Sequence, residues 1–152
     1  MINRRGLLVA AAGLFTGPGF AATLPPMIVH RDPSCGCCGA WVDIMRAAGF
    51  AVTVKEHGQM DRVKQSLGVP AELQSCHTAE IGGFVIEGHV PPAEVKRLLA
   101  EAPKGRGLTV PGMPIGSPGM EVAGAKPDTY SVLLFGSDAP SIFARYTVSS
   151  RL

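Results

Sequence analysis

From Met27 onward the apolar residues fall in short runs with clear punctuation. Met27-Ile-Val-His30 has the length of a strand and ends in Arg31-Asp-Pro-Ser34, a turn-forming stretch. Cys38, Trp41, Val42, Met45 and Ala48 then recur at spacings of three and four and stop at Gly49, the buried stripe of a helix whose first turn carries cysteines. Phe50-Ala-Val-Thr-Val-Lys-Glu56 alternates and is rich in β-branched residues, which predicts a second strand. Met60, Val63 and Leu67 predict a short helix up to Gly68-Val-Pro70. This alternation predicts a parallel strand pair joined by a right-handed crossover.

Further on, Gly83-Phe-Val-Ile-Glu-Gly-His-Val90 predicts two short strands around a turn at Glu87-Gly88. Pro91-Pro-Ala-Glu-Val-Lys-Arg-Leu-Leu-Ala100 predicts a helix with proline in its first turn. The predicted order, βαβα and then ββα, is that of a thioredoxin-like α/β sheet. Between Gly105 and Pro127 the composition shifts to glycine and proline. There, Val110-Pro-Gly-Met-Pro-Ile-Gly-Ser-Pro-Gly-Met-Glu121 is nearly free of charge and cannot sustain regular structure. A loop of this length and composition is packed or functional. Tyr130–Phe135 and Ile142–Val148, separated by Gly136-Ser-Asp-Ala-Pro140, predict a hairpin that extends the sheet. A single domain over residues 22–152, with a Gly/Pro-rich insertion and an extra C-terminal β-hairpin, accounts for the pattern, and no internal repeat is present.

The first residues differ in kind. Met1-Ile-Asn-Arg-Arg precedes an apolar run from Gly6 to Phe15 and then small residues up to Ala21-Ala22, the layout of a signal peptide. The run is shorter than the roughly 20 residues that span a bilayer, so cleavage after Ala21 is preferred to a permanent anchor, and no membrane span is expected afterwards. The paired arginines also suit twin-arginine export. The prediction is a leader over residues 1–21 and a periplasmic mature chain. Removing Arg4 and Arg5 from the 14 Lys and Arg leaves 12 against 12 Asp and Glu. A chain without net charge and without a basic run excludes a nucleic-acid partner, because phosphates demand a positive face.

Export changes the meaning of four cysteines, since thiols in an oxidising compartment pair unless a metal or reductant prevents it. A helix N-terminus stabilises thiolate through its free N–H groups and dipole, and Cys35-Gly-Cys-Cys38 lies at one. Cys35 and Cys38 have the spacing of redox dithiols and would serve as nucleophile and resolving thiol in a thiol–disulfide oxidoreductase. Cys37, about 100° from Cys38 around an ideal helix, has no place in a two-thiol enzyme. Three thiols in four residues suit a copper(I) cluster, in which thiolates bridge metals, and Cys76-His77 supplies a fourth sulfur and an imidazole. A single zinc ion on three sulfurs and a nitrogen and a disulfide-stapled binding module remain the alternatives. His30, five residues before Cys35, could face the site, whereas His57 and His89 have no such company and are read as surface residues. Met113 and Met120 share a Pro-Gly-Met context, and their thioethers would be auxiliary copper(I) ligands if the loop closes over the site, although methionine more often fills core gaps. No nucleophile elbow, phosphate-binding glycine loop or zinc-protease helix is present.

Asp32-Pro-Ser-Cys-Gly-Cys-Cys38, Ser75-Cys-His-Thr78, Gly88-His-Val-Pro91 and Val110–Glu121 together resemble the CopG-type family of exported, thioredoxin-like copper-resistance proteins. The resemblance covers essentially the whole mature chain. It implies a thioredoxin-like fold, a copper cluster held by Cys35, Cys37, Cys38 and Cys76, and a role in periplasmic copper tolerance, with redox handling of copper and exchange with other periplasmic copper-handling proteins. One departure is expected. Thioredoxins place a cis-proline before the third strand, where this sequence reads Ile81-Gly-Gly83, which favours metal over a protein disulfide as the ligand.

Overall fold

The computed structural model describes residues 23–136, 138–147 and 150–152, so the predicted leader over residues 1–21 lies outside the described residues. The elements are β1 (Met27–Arg31), α1 (Gly36–Ala47), β2 (Val52–Glu56), α2 (Met60–Ser66), a 3-10 turn (Ala71–Leu73), β3 (Thr78–Ile81), β4 (Phe84–Glu87), α3 (Pro92–Glu101), β5 (Gly107–Thr109), β6 (Thr129–Phe135), β7 (Ser141–Thr147) and β8 (Ser150–Arg151). The eight strands form one mixed sheet in the order β2-β1-β3-β4-β5-β6-β7-β8. No helix among the described residues is long and apolar enough to cross a membrane.

The first half follows the apolar pattern. β1 and β2 pair in parallel around α1, which buries Cys38, Trp41, Val42 and Met45 and ends where Gly49 takes a left-handed φ of 94°. Trp41 Nε1 donates to the Val90 carbonyl at 3.0 Å, tying α1 to the segment that follows β4. On that side of the sheet, Val29, Ala79, Ile86 and Leu108 are in successive register across four strands and pack with Trp41, Met45 and Leu98 in the main core.

Two expectations are corrected. The turn between the third and fourth strands is Gly82-Gly83, not Glu87-Gly88, and the third strand starts at Thr78. A two-residue hairpin of type I′, whose twist matches the strands, needs positive φ at both central positions, and Gly82 and Gly83 supply 55° and 84°. Gly88 is glycine for a different reason, because a Cβ there would lie 2.4 Å from the Ser75 side chain and 2.7 Å from the Val110 carbonyl. The second correction is β5, three residues inside the glycine-proline stretch. Gly107 lies so close to Val85 of β4 that no side chain fits, and this parallel pairing, continued antiparallel to β6, joins the C-terminal hairpin to the core. The hairpin itself forms as expected from β6 and β7.

The opposite side of the same sheet carries a polar row in register: His30, Thr78, Glu87 and Thr109, all buried. α2 covers it with Lys64, whose Nζ donates to Glu87 Oε1 at 2.5 Å and Thr78 Oγ1 at 3.0 Å. Both ends of the ion pair are almost wholly sequestered. Removing one partner strands a charge in the interior, so Lys64→Met should cost about 3–5 kcal/mol in urea unfolding, and adding Glu87→Gln should recover much of that loss. An unaltered midpoint for Lys64→Met would contradict the structural weight given to the pair.

Candidate metal centre

The N-terminus of α1 is assembled by local polar contacts. The Asp32 carboxylate accepts the Ser34 N–H at 2.8 Å, its backbone carbonyl accepts the Cys35 N–H at 3.1 Å, and Cys35 occupies the N-cap in an extended conformation. These hydrogen bonds from Ser34 hold the Asp32 carboxyl below the usual carboxylate range. Arg31 spans the same turn, donating to the Cys35 carbonyl at 3.0 Å and to Glu56 at 2.8 Å. No side chain caps the helix, so its first N–H groups are free to stabilise an anion placed at this end.

Cys35 and Cys38 form a disulfide. Cys37 Sγ lies 3.6 Å from Cys35 Sγ and 3.9 Å from Cys76 Sγ, and the four sulfurs lie within 4.8 Å of one another. Cys38 is buried and the other three are half-buried. The four cysteines named from the sequence therefore converge, although 38 residues separate Cys38 from Cys76.

Cys76 is brought there by the loop before β3, which β4 holds from beneath. Glu87 Oε1 accepts the Ser75 N–H at 2.7 Å, Glu87 Oε2 accepts the Thr78 hydroxyl at 2.6 Å, and Gly88 N–H donates to the His77 carbonyl at 2.9 Å. Cys76 and His77 thus sit between two residues anchored on one buried carboxylate. The segment before the third strand is Ser75-Cys-His77 rather than Ile81-Gly-Gly83, which ends that strand and forms the turn to the fourth, so the expected departure from thioredoxins was read at the wrong place.

His89 corrects the sequence reading most sharply. It is fully buried rather than on the surface, and its Nε2 lies 3.1 Å from Cys76 Sγ. Its Nδ1 donates to the Pro118 carbonyl at 2.8 Å, which leaves the Nε2 lone pair directed at the sulfurs. The missed signal was register. β3 and β4 pair Thr78 with Glu87, and continuing that ladder two residues outward sets Cys76 opposite His89. With the turn misplaced at Glu87-Gly88, that pairing could not be seen.

His77, offered from the sequence as an imidazole for the site, is fully buried. Its Nδ1 is 3.3 Å from Cys76 Sγ, its ring packs 4.5 Å from Trp41 and 5.0 Å from His89, and its Nε2 lacks a hydrogen-bond partner among the described residues. Burial, then the proximity of His89 and Lys64, holds the His77 pKa well below 6.5. Burial also lowers the pKa of His89. Both rings are therefore neutral, the form that binds metal. Burial, followed by the neighbouring Cys37, pushes the Cys76 thiol up to about 12. An uncompensated thiolate is costly at that position, and a bound cation would supply the missing compensation. Cys76, His77 and His89 form a second group of convergent donors sharing the Cys76 sulfur with the first.

The glycine-proline loop covers this centre. Gly112 accepts the Ser75 hydroxyl at one end, and a Cβ on Gly119 would lie 2.9 Å from the Trp41 backbone nitrogen and 3.1 Å from the Cys37 carbonyl at the other. Met120, beside Gly119, is half-buried, while Met113 is 54% exposed. His30 turns to His57 and Glu80 instead of the thiols, and His57, read as solitary, is its partner.

The chain is similar to two solved structures, forms 1 and 2 of copper resistance protein CopG. It is 44% and 43% identical to them with TM-scores of 0.75 and 0.76, and in each case 81% of this chain and 98% of the other are covered. Residues 73–120, which include Cys76, His77 and His89, match the family described as "Protein of unknown function, DUF411". No curated protein matches. At this identity over four fifths of its length, with a cysteine cluster able to hold metal at its centre, the chain belongs to the CopG family of copper resistance proteins.

Proposed function

We propose that this protein is exported to the periplasm, with residues 1–21 as its leader, and there holds copper(I) as a thiolate cluster on Cys35, Cys37, Cys38 and Cys76 in copper resistance. The single observation that carries the reading is the convergence of four sulfurs within 4.8 Å. Soft thiolates select copper(I), and four so close together can bridge several ions. His89 adds a neutral nitrogen ligand with its tautomer fixed by Pro118. His77 lies behind Cys76 as a further donor, and Met113 and Met120 are auxiliary thioethers carried by the covering loop. The strand order β2-β1-β3-β4, with helices crossing between the strands, supports a thioredoxin-like core.

The Cys35–Cys38 disulfide favours a second, compatible reading, reduction of copper. The dithiol gives up two electrons as the S–S bond forms: two copper(II) ions and the two thiols yield the disulfide, two copper(I) ions and two protons. Cys37, Cys76 and His89 stay available to receive the product. Exchange with protein disulfides is the less favoured use of the dithiol, because it leaves Cys37 and Cys76, 3.9 Å apart, without a role.

Reduced, anaerobic protein should take up more than one copper(I) per chain by elemental analysis, with its thiols shielded from titration until the metal is stripped. Cys37→Ser and Cys76→Ser should each lower that ratio. A copper content unchanged in both variants would sink the cluster assignment. Because the Cys76 proton must leave for metal to bind, copper(I) affinity should rise with pH across the range 6–9, by up to about tenfold per unit for each proton released. His89→Gln should weaken binding at every pH while leaving that slope in place. A pH-independent affinity in competition with a chromophoric copper(I) chelator would argue against thiolate ligation.

A further inference from the structure

His30 and His57 make a cluster that the thiol centre does not use. Parallel pairing brings the ends of β1 and β2 together, and the His57 N–H donates to the Arg31 carbonyl at 2.9 Å. His30 Nδ1 then lies 2.9 Å from His57 Nε2, and His30 Nε2 lies 2.9 Å from Glu80 Oε1. A carboxylate accepts hydrogen bonds and does not donate them, so in neutral His30 the proton resides on Nε2 and Nδ1 presents a lone pair to His57. Metal-binding imidazoles are held this way, one nitrogen on a carboxylate and the other free. The separation also fits, because two ligands at right angles with bonds of about 2.0–2.1 Å stand about 2.9 Å apart. The surrounding charges balance, Lys55 and Arg31 against Glu56 and Glu80, so a cation meets no net repulsion.

We propose that His30 Nδ1 and His57 Nε2 form a separate site for copper(II), with Glu80 orienting His30 and solvent completing the coordination. Imidazole suits copper(II), zinc and nickel, and copper(II) binds tightest of these in a given nitrogen site. Neutral His57 moves its ring proton from Nε2 to Nδ1 as the metal enters, so no proton is lost from the pair. With two protein ligands and open positions, the site exchanges its ion readily. It does not depend on the thiolate reading and uses none of the same residues.

The test is copper(II) titration of the full chain with all four cysteines replaced by serine, followed by electron paramagnetic resonance. One ion per chain with coupling to two imidazole nitrogens is expected. His57→Gln should abolish the two-nitrogen pattern and weaken binding at least about tenfold, and Glu80→Ala should weaken it about tenfold while retaining the pattern. Persistence of the pattern in His57→Gln, with loss in His89→Gln, would place the ion at the other centre and overturn the proposal. If the serine chain does not fold, wild-type protein with its thiols saturated by copper(I) can be titrated with nickel(II). Selective paramagnetic broadening of the His30 and His57 ring protons then supports the site, and its absence refutes it.

Discussion

The geometry of the metal centre depends on a carboxylate that touches none of its sulfurs. Glu87 is fully buried and accepts hydrogen bonds from Lys64, from the Ser75 backbone and from the Thr78 hydroxyl. Each donor belongs to a different piece of the fold: α2, the loop carrying Cys76, and β3. A buried charge is tolerated only when its partners are in place, so the same condition that stabilises Glu87 fixes the path of the chain through Cys76 and His77. Hydrophobic packing alone would leave that loop free to slide. The carboxylate makes its position a consequence of folding.

From that anchor the centre divides into two halves with different physical character. The half on α1 uses a helix N-terminus, an uncapped array of N–H groups suited to thiolate, and its Cys35–Cys38 pair can close into a disulfide. The half on the β3–β4 hairpin is drier, with a thiol raised to about 12 and two neutral imidazoles. Closing the disulfide removes two sulfurs from the first half and none from the second. Cys37, between Cys35 and Cys76, connects them, a place for the middle cysteine of the motif that a two-thiol enzyme would not need.

Much of this was legible in the sequence. The βαβ unit announced itself through a helical stripe and an alternating strand, because periodicity reports burial directly, and the four cysteines were drawn together by chemistry rather than by any visible contact. What stayed hidden was pairing. Gly82-Gly83 is the better hairpin dipeptide, since both residues accept positive φ, whereas the space around Gly88 shows that it is there to admit Ser75. Placing the turn at Glu87-Gly88 moved the strands, and with them His89, to the surface. β5 was missed because three residues carry no period, and its strand character comes from pairing with β4 on one side and β6 on the other. His30 and His57 are 27 residues apart and meet only through the parallel register of β1 and β2.

The covering loop shows why a stretch without regular structure can be as constrained as a strand. Gly119 has no room for a side chain against the backbone of α1, so the chain there runs within van der Waals distance of the Cys37 carbonyl. One residue earlier, the Pro118 carbonyl accepts the hydrogen bond of the His89 Nδ1–H. The close approach of Gly119 is what delivers that carbonyl, and the carbonyl is what leaves Nε2 unprotonated toward Cys76. Glycine at 119 therefore acts on the metal centre at one remove. A larger residue there would lift the loop from α1, free the His89 ring to turn, and open the sulfurs to water, all without altering any of the converging donors.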